Sequence, residues 1–131
     1  MTISETQLHR YARQLVMPEI GEDGQRFLLS SRVVILGAGG LGCAVIANLA
    51  AAGVGEIIIC DDDTIDLSNL NRQFIYREQD VEKQKTIQAQ RFIENINSDV
   101  LVKTEKRTMC EHSLTEILSD CDLLVDCADQ F

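Results

Sequence analysis

The residues of this chain with the clearest chemical capacity carry almost no side chain. Gly37, Gly39 and Gly42 form G-x-G-x-x-G, and Gly40 adds a fourth glycine. Where such a run joins a strand to a helix, the first glycine permits a tight turn and the second lets an anion approach the main chain. The third lets helix pack on strand, and the N–H groups of the helix start face a phosphate. Asp61 follows about 20 residues later, where a carboxylate at the end of the next strand accepts hydrogen bonds from both hydroxyls of a ribose. Alternation along an emerging strand puts Asp61 and Asp63 on one face and leaves Asp62 as the solvated member of the run. Up to here a nicotinamide enzyme is served equally well. The stretch that discriminates is DDDTIDLSNLNRQF, with Lys85 beyond it. Arg72 and Lys85 beside a phosphate cradle suit a triphosphate, whose charge grows during displacement at phosphorus. Ser68 and Asn69 either cap their short turn or bind phosphate oxygens.

These residues need a scaffold, and the apolar pattern supplies one. RVVIL (32–36) and EIIIC (56–60) are continuous apolar runs rich in β-branched residues, the pattern of strands covered on both faces. Between them residues 41–52 are small and helix-forming, and Gly53 supplies a left-handed stop. This succession predicts a right-handed crossover and a parallel sheet. A longer helix is expected over 81–96, starting near Asp80, with Ile87, Phe92, Ile93 and Ile96 turned inward. A third strand follows at 100–104, a short helix at 111–119 and a fourth strand at 122–126, which delivers Asp126 and Asp129 to the ligand edge. Ahead of the sheet, a helix over 4–15 is capped by Ser4, and a second over 18–30 opens at Pro18, the only proline. The expected fold class is α/β: a Rossmann-like, mostly parallel sheet with helices on both faces over 31–131, preceded by a two-helix segment over 1–30.

Twelve basic residues against 21 acidic ones leave a net charge of −9, which repels a polyphosphate backbone and argues against nucleic acid as the main partner. No apolar stretch approaches the roughly 20 residues of a membrane span, and the N-terminus lacks a secretory pattern, so the cytoplasm is the default location. The five cysteines, Cys43, Cys60, Cys110, Cys121 and Cys127, contain no C-x-x-C pair, and reduced thiols are expected. His9 and His112 stand far apart in polar helical contexts, which suits surface or packing roles and not zinc.

The segments RYARQLVMPEIGEDGQ, RVVILGAGGLGCAVIANLAAAGVG, DDDTIDLSNLNRQF and LLVDCADQ resemble the ThiF/MoeB/HesA family, bacterial relatives of the ubiquitin-activating enzymes. The resemblance runs through nearly all of the chain. It implies binding of Mg-ATP and adenylation of the C-terminal glycine carboxylate of a ubiquitin-like sulfur carrier such as ThiS or MoaD, with release of pyrophosphate. Gly40 would approach the phosphates and Asp61 would hold the ribose, while Ser68, Asn69, Arg72 and Lys85 grip the phosphate chain and Asp129 takes magnesium. With Gly37, Gly39, Gly42, Asp63, Gln73 and Gln130, these make up the candidate nucleotide site. Arg13, in RYARQ, matches the family's arginine that reaches into the neighbouring subunit, which implies a homodimer. Arg13, Arg72, Lys85 and Asp129 are the candidate catalytic set.

Gln130 stands where the family usually has asparagine, and Gln84 where proline often precedes the lysine. The family's two C-x-x-C zinc pairs and its crossover loop are not in this sequence, so the structural zinc site is absent and the chain reads as the ATP-binding half of an adenylation domain, its C-terminal half absent. Its last strand would then present an open sheet edge. Two other readings stay open. A nucleotide-binding or dimerisation module without catalysis fits a half domain, and an NAD-dependent oxidoreductase fits the glycine turn and Asp61 but leaves DLSNLNRQ and Lys85 without a task. The tRNA-modifying dehydratases of the same superfamily share the pattern as well, although the RYARQ opening leans towards carrier activation.

Overall fold

Strands built from β-branched apolar runs need cover on both faces. The computed structural model, which describes residues 1–129, provides it in one four-stranded sheet. β1 (Arg32–Leu36) and β2 (Glu56–Cys60) occupy the predicted positions, and β3 (Leu101–Glu105) and β4 (Leu123–Asp126) each lie within a residue of theirs. The order is β3-β2-β1-β4 and every pairing is parallel. The chain therefore winds outward from β1 through β2 to β3, then returns to the other side of β1 to lay down β4. Where the winding reverses, between β1 and β4, a crevice opens at the carboxyl ends of the strands.

α4 (Gly40–Ala52) and α5 (Lys85–Ile96) cover one face. Their Ile46, Ala47, Ala50, Ala89 and Ile93 pack on Val33, Ile35, Ile57 and Ile59 in the larger core cluster. α6 (Arg107–His112) and α7 (Leu114–Asp120) lie over the opposite face, where Cys110 and Ile117 meet Val34, Ile58 and Leu124. Helices thus sit on both faces, as the α/β pattern implies. No helix among the described residues is long and apolar enough to cross a membrane.

Before the sheet come α1 (Glu5–Arg10), α2 (Ala12–Leu15) and α3 (Gly21–Leu29). Ser4 caps α1 as expected, in a reciprocal capping box with Gln7. The predicted start of the next helix at Pro18 is corrected: Pro18 lies in the turn before α3, which begins at Gly21. These helices are pinned to the ends of α4 and α5 by buried polar groups. The Tyr11 hydroxyl donates to Asp99 at 2.8 Å and accepts from Asn97 at 2.9 Å. The amides of Gln14 and Gln25 both donate to the Ala52 carbonyl at 3.0 Å.

Two further expectations change. α5 starts at Lys85 and not near Asp80, because residues 78–80 form a separate short 3-10 turn and Gln84 is still extended. Its buried face holds Lys85, Thr86, Gln88, Ala89 and Ile93, while Ile96 is exposed. The expectation of reduced thiols fails for one pair: Cys60, at the end of β2, is bonded to Cys110 on α6. A strand end and a helix, 50 residues apart in sequence, bring the two Cα atoms to 6.5 Å, within the span a disulfide bridges. Cys43, Cys121 and Cys127 are free thiols.

The amino end of the sheet, away from the crevice, is held by charge. Glu56 on β2 pairs with Arg32 on β1 and lies 2.9 Å from Lys103 on β3, with 14% of its side chain exposed. Burial alone would raise the Glu56 carboxyl, but the hydrogen bond from Arg32 and the adjacent Lys103 ammonium outweigh it and hold the group below its ordinary value of 4.5. A depressed carboxylate stabilises the fold above that value and loses its contribution as the pH falls through the folded-state value. Glu56→Gln should therefore cost on the order of 1–3 kcal/mol in urea melts at pH 7, and the gap to the parent should narrow below about pH 4.5.

Candidate functional site

Three strand ends feed the crevice. After β1 the glycine turn leads into α4, after β2 comes the aspartate run, and after β4 come Cys127, Ala128 and Asp129. Gly37, Gly39, Asp61, Asp62, Asp63, Gln73, Lys85, Arg107, Cys127, Ala128 and Asp129 line a cavity of about 390 Å³. A second depression of about 510 Å³ shares Asp61, Asp62 and Asp63 and continues past Thr104 and Glu105 at the end of β3.

The turn's shape requires glycine at two points. Gly37 has φ +96°, where a side chain is strained, and the exit of β4 at Cys127 leaves no space for a Cβ. At Gly42 a Cβ would stand 1.9 Å from the Gly37 carbonyl oxygen, so the first turn of α4 packs directly on the loop. Gly40 is different: a Cβ there would meet only the Arg72 side chain, at 3.7 Å. Substitution should separate these roles. Gly42→Ala is expected to lose at least about 2 kcal/mol in urea denaturation by overpacking, whereas Gly40→Ala should stay within about 1 kcal/mol of the parent.

Asp61 and the glycine turn meet directly. Its Oδ2 accepts from Ala38 N at 2.8 Å and its Oδ1 from Asp63 N at 2.7 Å, so one carboxylate ties the turn to the loop after β2. Asp62 is exposed, as expected, but it is not idle. The strand ends at Cys60, alternation stops there, and Asp62 lines both depressions while accepting from the first N–H of α6 at 2.9 Å. Lys85, the first residue of α5, is buried, with its backbone N 3.0 Å from the Asp63 carbonyl and its ammonium 3.8 Å from the Asp63 carboxylate.

Arg72 and Gln73 lean on the turn from outside, Arg72 over Gly40 and the Gln73 amide against Gly39. Gln73 is buried, and its Oε1 has no hydrogen-bond partner. Arg72 itself is exposed and donates to Ser68 O and Asn71 Oδ1. Ser68 and Asn69 are engaged in a 3-10 turn (Leu67–Asn69) capped by Asp66 and do not line the cavity. Asp129 is an exposed carboxylate on the rim, whereas Asp126 turns back to accept from Ala128 N. Gln130 lies outside the described residues. Arg13 is exposed on α2, away from the cavity lining, and its side chain makes no hydrogen bond or ion pair among the described residues.

Arg107 was not among the sequence candidates. It opens α6 directly after β3 and lines the cavity. An arginine just past a strand's carboxyl end was the available signal, but where one helix was expected at 111–119 the chain forms two, α6 and α7, and the first of them was not foreseen. The lining carries four aspartates against Lys85 and Arg107, so a polyanion would need a counter-cation to enter. Thiolate chemistry is disfavoured: burial pushes Cys43 up to about 11, and Cys127 is raised by burial and by Asp126.

A glycine turn at the head of a helix, a carboxylate fixed to it and cations on its flank thus meet at one edge of the sheet, and the family model described as the ThiF family matches residues 11–131. This chain belongs to the ThiF family. It is similar to the SAMP-activating enzyme E1 of Haloferax volcanii, 42% identical over 131 residues that make up 100% of this chain and 48% of that protein. The sulfur carrier protein ThiS adenylyltransferase of Escherichia coli K12 is 36% identical over 120 residues, 92% of this chain and 48% of that one. Among solved structures, E. coli MccB with ATP shares a TM-score of 0.69 and 39% identity over 73% of this chain and 30% of that chain. This ThiF-family chain spans about half the length of the curated relatives it matches.

Proposed function

We propose that this chain supplies the ATP-binding half of an adenylyltransferase that activates the C-terminal glycine carboxylate of a ubiquitin-like sulfur carrier protein and releases pyrophosphate. The observation that carries the reading is the Ala38–Asp61 hydrogen bond of 2.8 Å, which brings an anion-binding turn and a ribose-type acid to one edge, with Lys85 in the same cavity. The names of the relatives, a SAMP-activating enzyme and a ThiS adenylyltransferase, and the ATP complex of MccB support it.

In this reading Gly37, Gly39, Gly40 and Gly42 cradle the phosphates, Asp61 holds the ribose with Asp63 beside it, and Gln73, whose amide nitrogen lies against Gly39 and whose oxygen has no partner, contacts the nucleotide. The incoming carboxylate is ionised near neutrality and needs no general base. Its oxygen forms the new bond to the α-phosphorus while the bond to the bridging oxygen breaks and pyrophosphate leaves. Arg72 and Lys85 neutralise the charge that accumulates, with Ser68 and Asn69 shaping the turn that aims Arg72. Asp129, an exposed carboxylate in a cavity of acidic excess, fits a magnesium ion held mainly by phosphate oxygens, and Gln130 follows it; the ion would supply charge neutralisation. Arg13 would enter the cavity from a second copy of the chain, so a homodimer is part of the proposal.

Calorimetry with ATP, with and without magnesium, against NAD tests nucleotide choice, and a preference for NAD would overturn the proposal. In the complete enzyme Arg72→Ala or Lys85→Ala should lower carrier-dependent exchange of pyrophosphate into ATP by roughly 10²-fold or more. Exchange at the parent rate in either variant would remove that residue from the mechanism.

A further inference from the structure

The peptide between Ala38 and Gly39 is held from the side away from the cavity by a residue that neither the motif nor the cavity lining includes. Tyr76 is 3% exposed, and its hydroxyl donates to the Ala38 carbonyl oxygen at 2.6 Å. The Cys43 thiol approaches the same oxygen at 3.6 Å. On the other side of the residue, Ala38 N–H donates to Asp61 at 2.8 Å. Both peptide planes flanking Ala38 are thus fixed, one by a carboxylate and one by a phenol.

The consequence follows from peptide geometry. The chain has no cis peptide bonds among its described residues, and in a trans peptide the C=O and N–H point in opposite directions. Drawing the Ala38 carbonyl inward to Tyr76 therefore sends the Gly39 N–H outward, on the side where Gly37 and Gly39 line the cavity. A glycine at position 39 makes this plane cheap to rotate, since glycine accepts both signs of φ; the hydroxyl is what opposes the rotation. The segment leading to Tyr76 reinforces this, with Arg72 against Gly40, Gln73 against Gly39 and Tyr76 on Ala38.

We infer that Tyr76 is a positioning residue for phosphate binding: its hydroxyl holds the Ala38–Gly39 peptide so that the Gly39 N–H faces the anion. This rests on the ATP reading of the cavity, and it adds a group that acts only through the main chain.

Tyr76→Phe in the full chain removes one oxygen and keeps the ring that fills the core. By calorimetry well below the unfolding temperature, ATP affinity should fall roughly five- to tenfold, the scale of one hydrogen bond, while adenosine affinity stays at the parent value. A residue that only supports the core would leave both affinities unchanged or weaken both alike, and either result overturns the inference. Backbone relaxation of the Gly39 amide, followed by NMR without ligand, should show greater mobility in the variant, and equal relaxation also overturns it. If the parent chain binds no ATP, the proposed function falls, and the relaxation comparison alone still decides the role of Tyr76.

Discussion

The hydrogen bond from Ala38 N–H to the Asp61 carboxylate is the contact on which the rest of the carboxyl edge depends. It joins the loop after β1 to the loop after β2, and Asp61 extends the link to the Asp63 backbone through its other oxygen. Asp63 in turn receives the first N–H of α5, which fixes the root of Lys85. One acidic side chain thereby sets the relative positions of the turn, the aspartate run and the buried lysine. A carboxylate suits the task because it offers two oxygens with spare lone pairs, so fixing two backbone groups leaves capacity for a ligand.

The electrostatic character of the edge follows from the same arrangement. The chain as a whole is acidic, at −9, and so is the cavity lining, with Lys85 and Arg107 set among four aspartates. Such a site does not attract polyanions at long range. A polyanion would enter it only together with a counter-cation. Arg72 adds charge from outside, laid along Gly40.

The two ends of the sheet divide the work. At the amino end, Arg32, Glu56 and Lys103 pair across three adjacent strands and contribute stability alone. At the carboxyl end the strands stop, the polar loops begin, and the glycine turn, the aspartates and Lys85 line one cavity. The helices before β1 brace the far ends of α4 and α5 through Tyr11, Gln14, Gln25 and Asn97, which leaves Arg13 facing outward.

Much of this was legible in the residues themselves. Period and composition located β1 and β2 because continuous β-branched runs have few alternatives to a buried parallel strand, and Gly37 and Asp61 could be paired because their spacing is fixed by one crossover. Helix starts were less legible: Pro18 and Asp80 both lie in turns that precede their helices, since a cap-like residue can equally end a separate short turn. The sequence by itself determined the strand pattern, the glycine turn and the acid that partners it, all of them local in spacing. Only the tertiary structure decided that Asp62 and Arg107 join the cavity, that Ser68 and Asn69 serve their own turn, that Cys60 meets Cys110, and that Tyr76 reaches back to Ala38. Each of these depends on which loops the β3-β2-β1-β4 order brings side by side, and long-range adjacency leaves no periodic trace in a single chain.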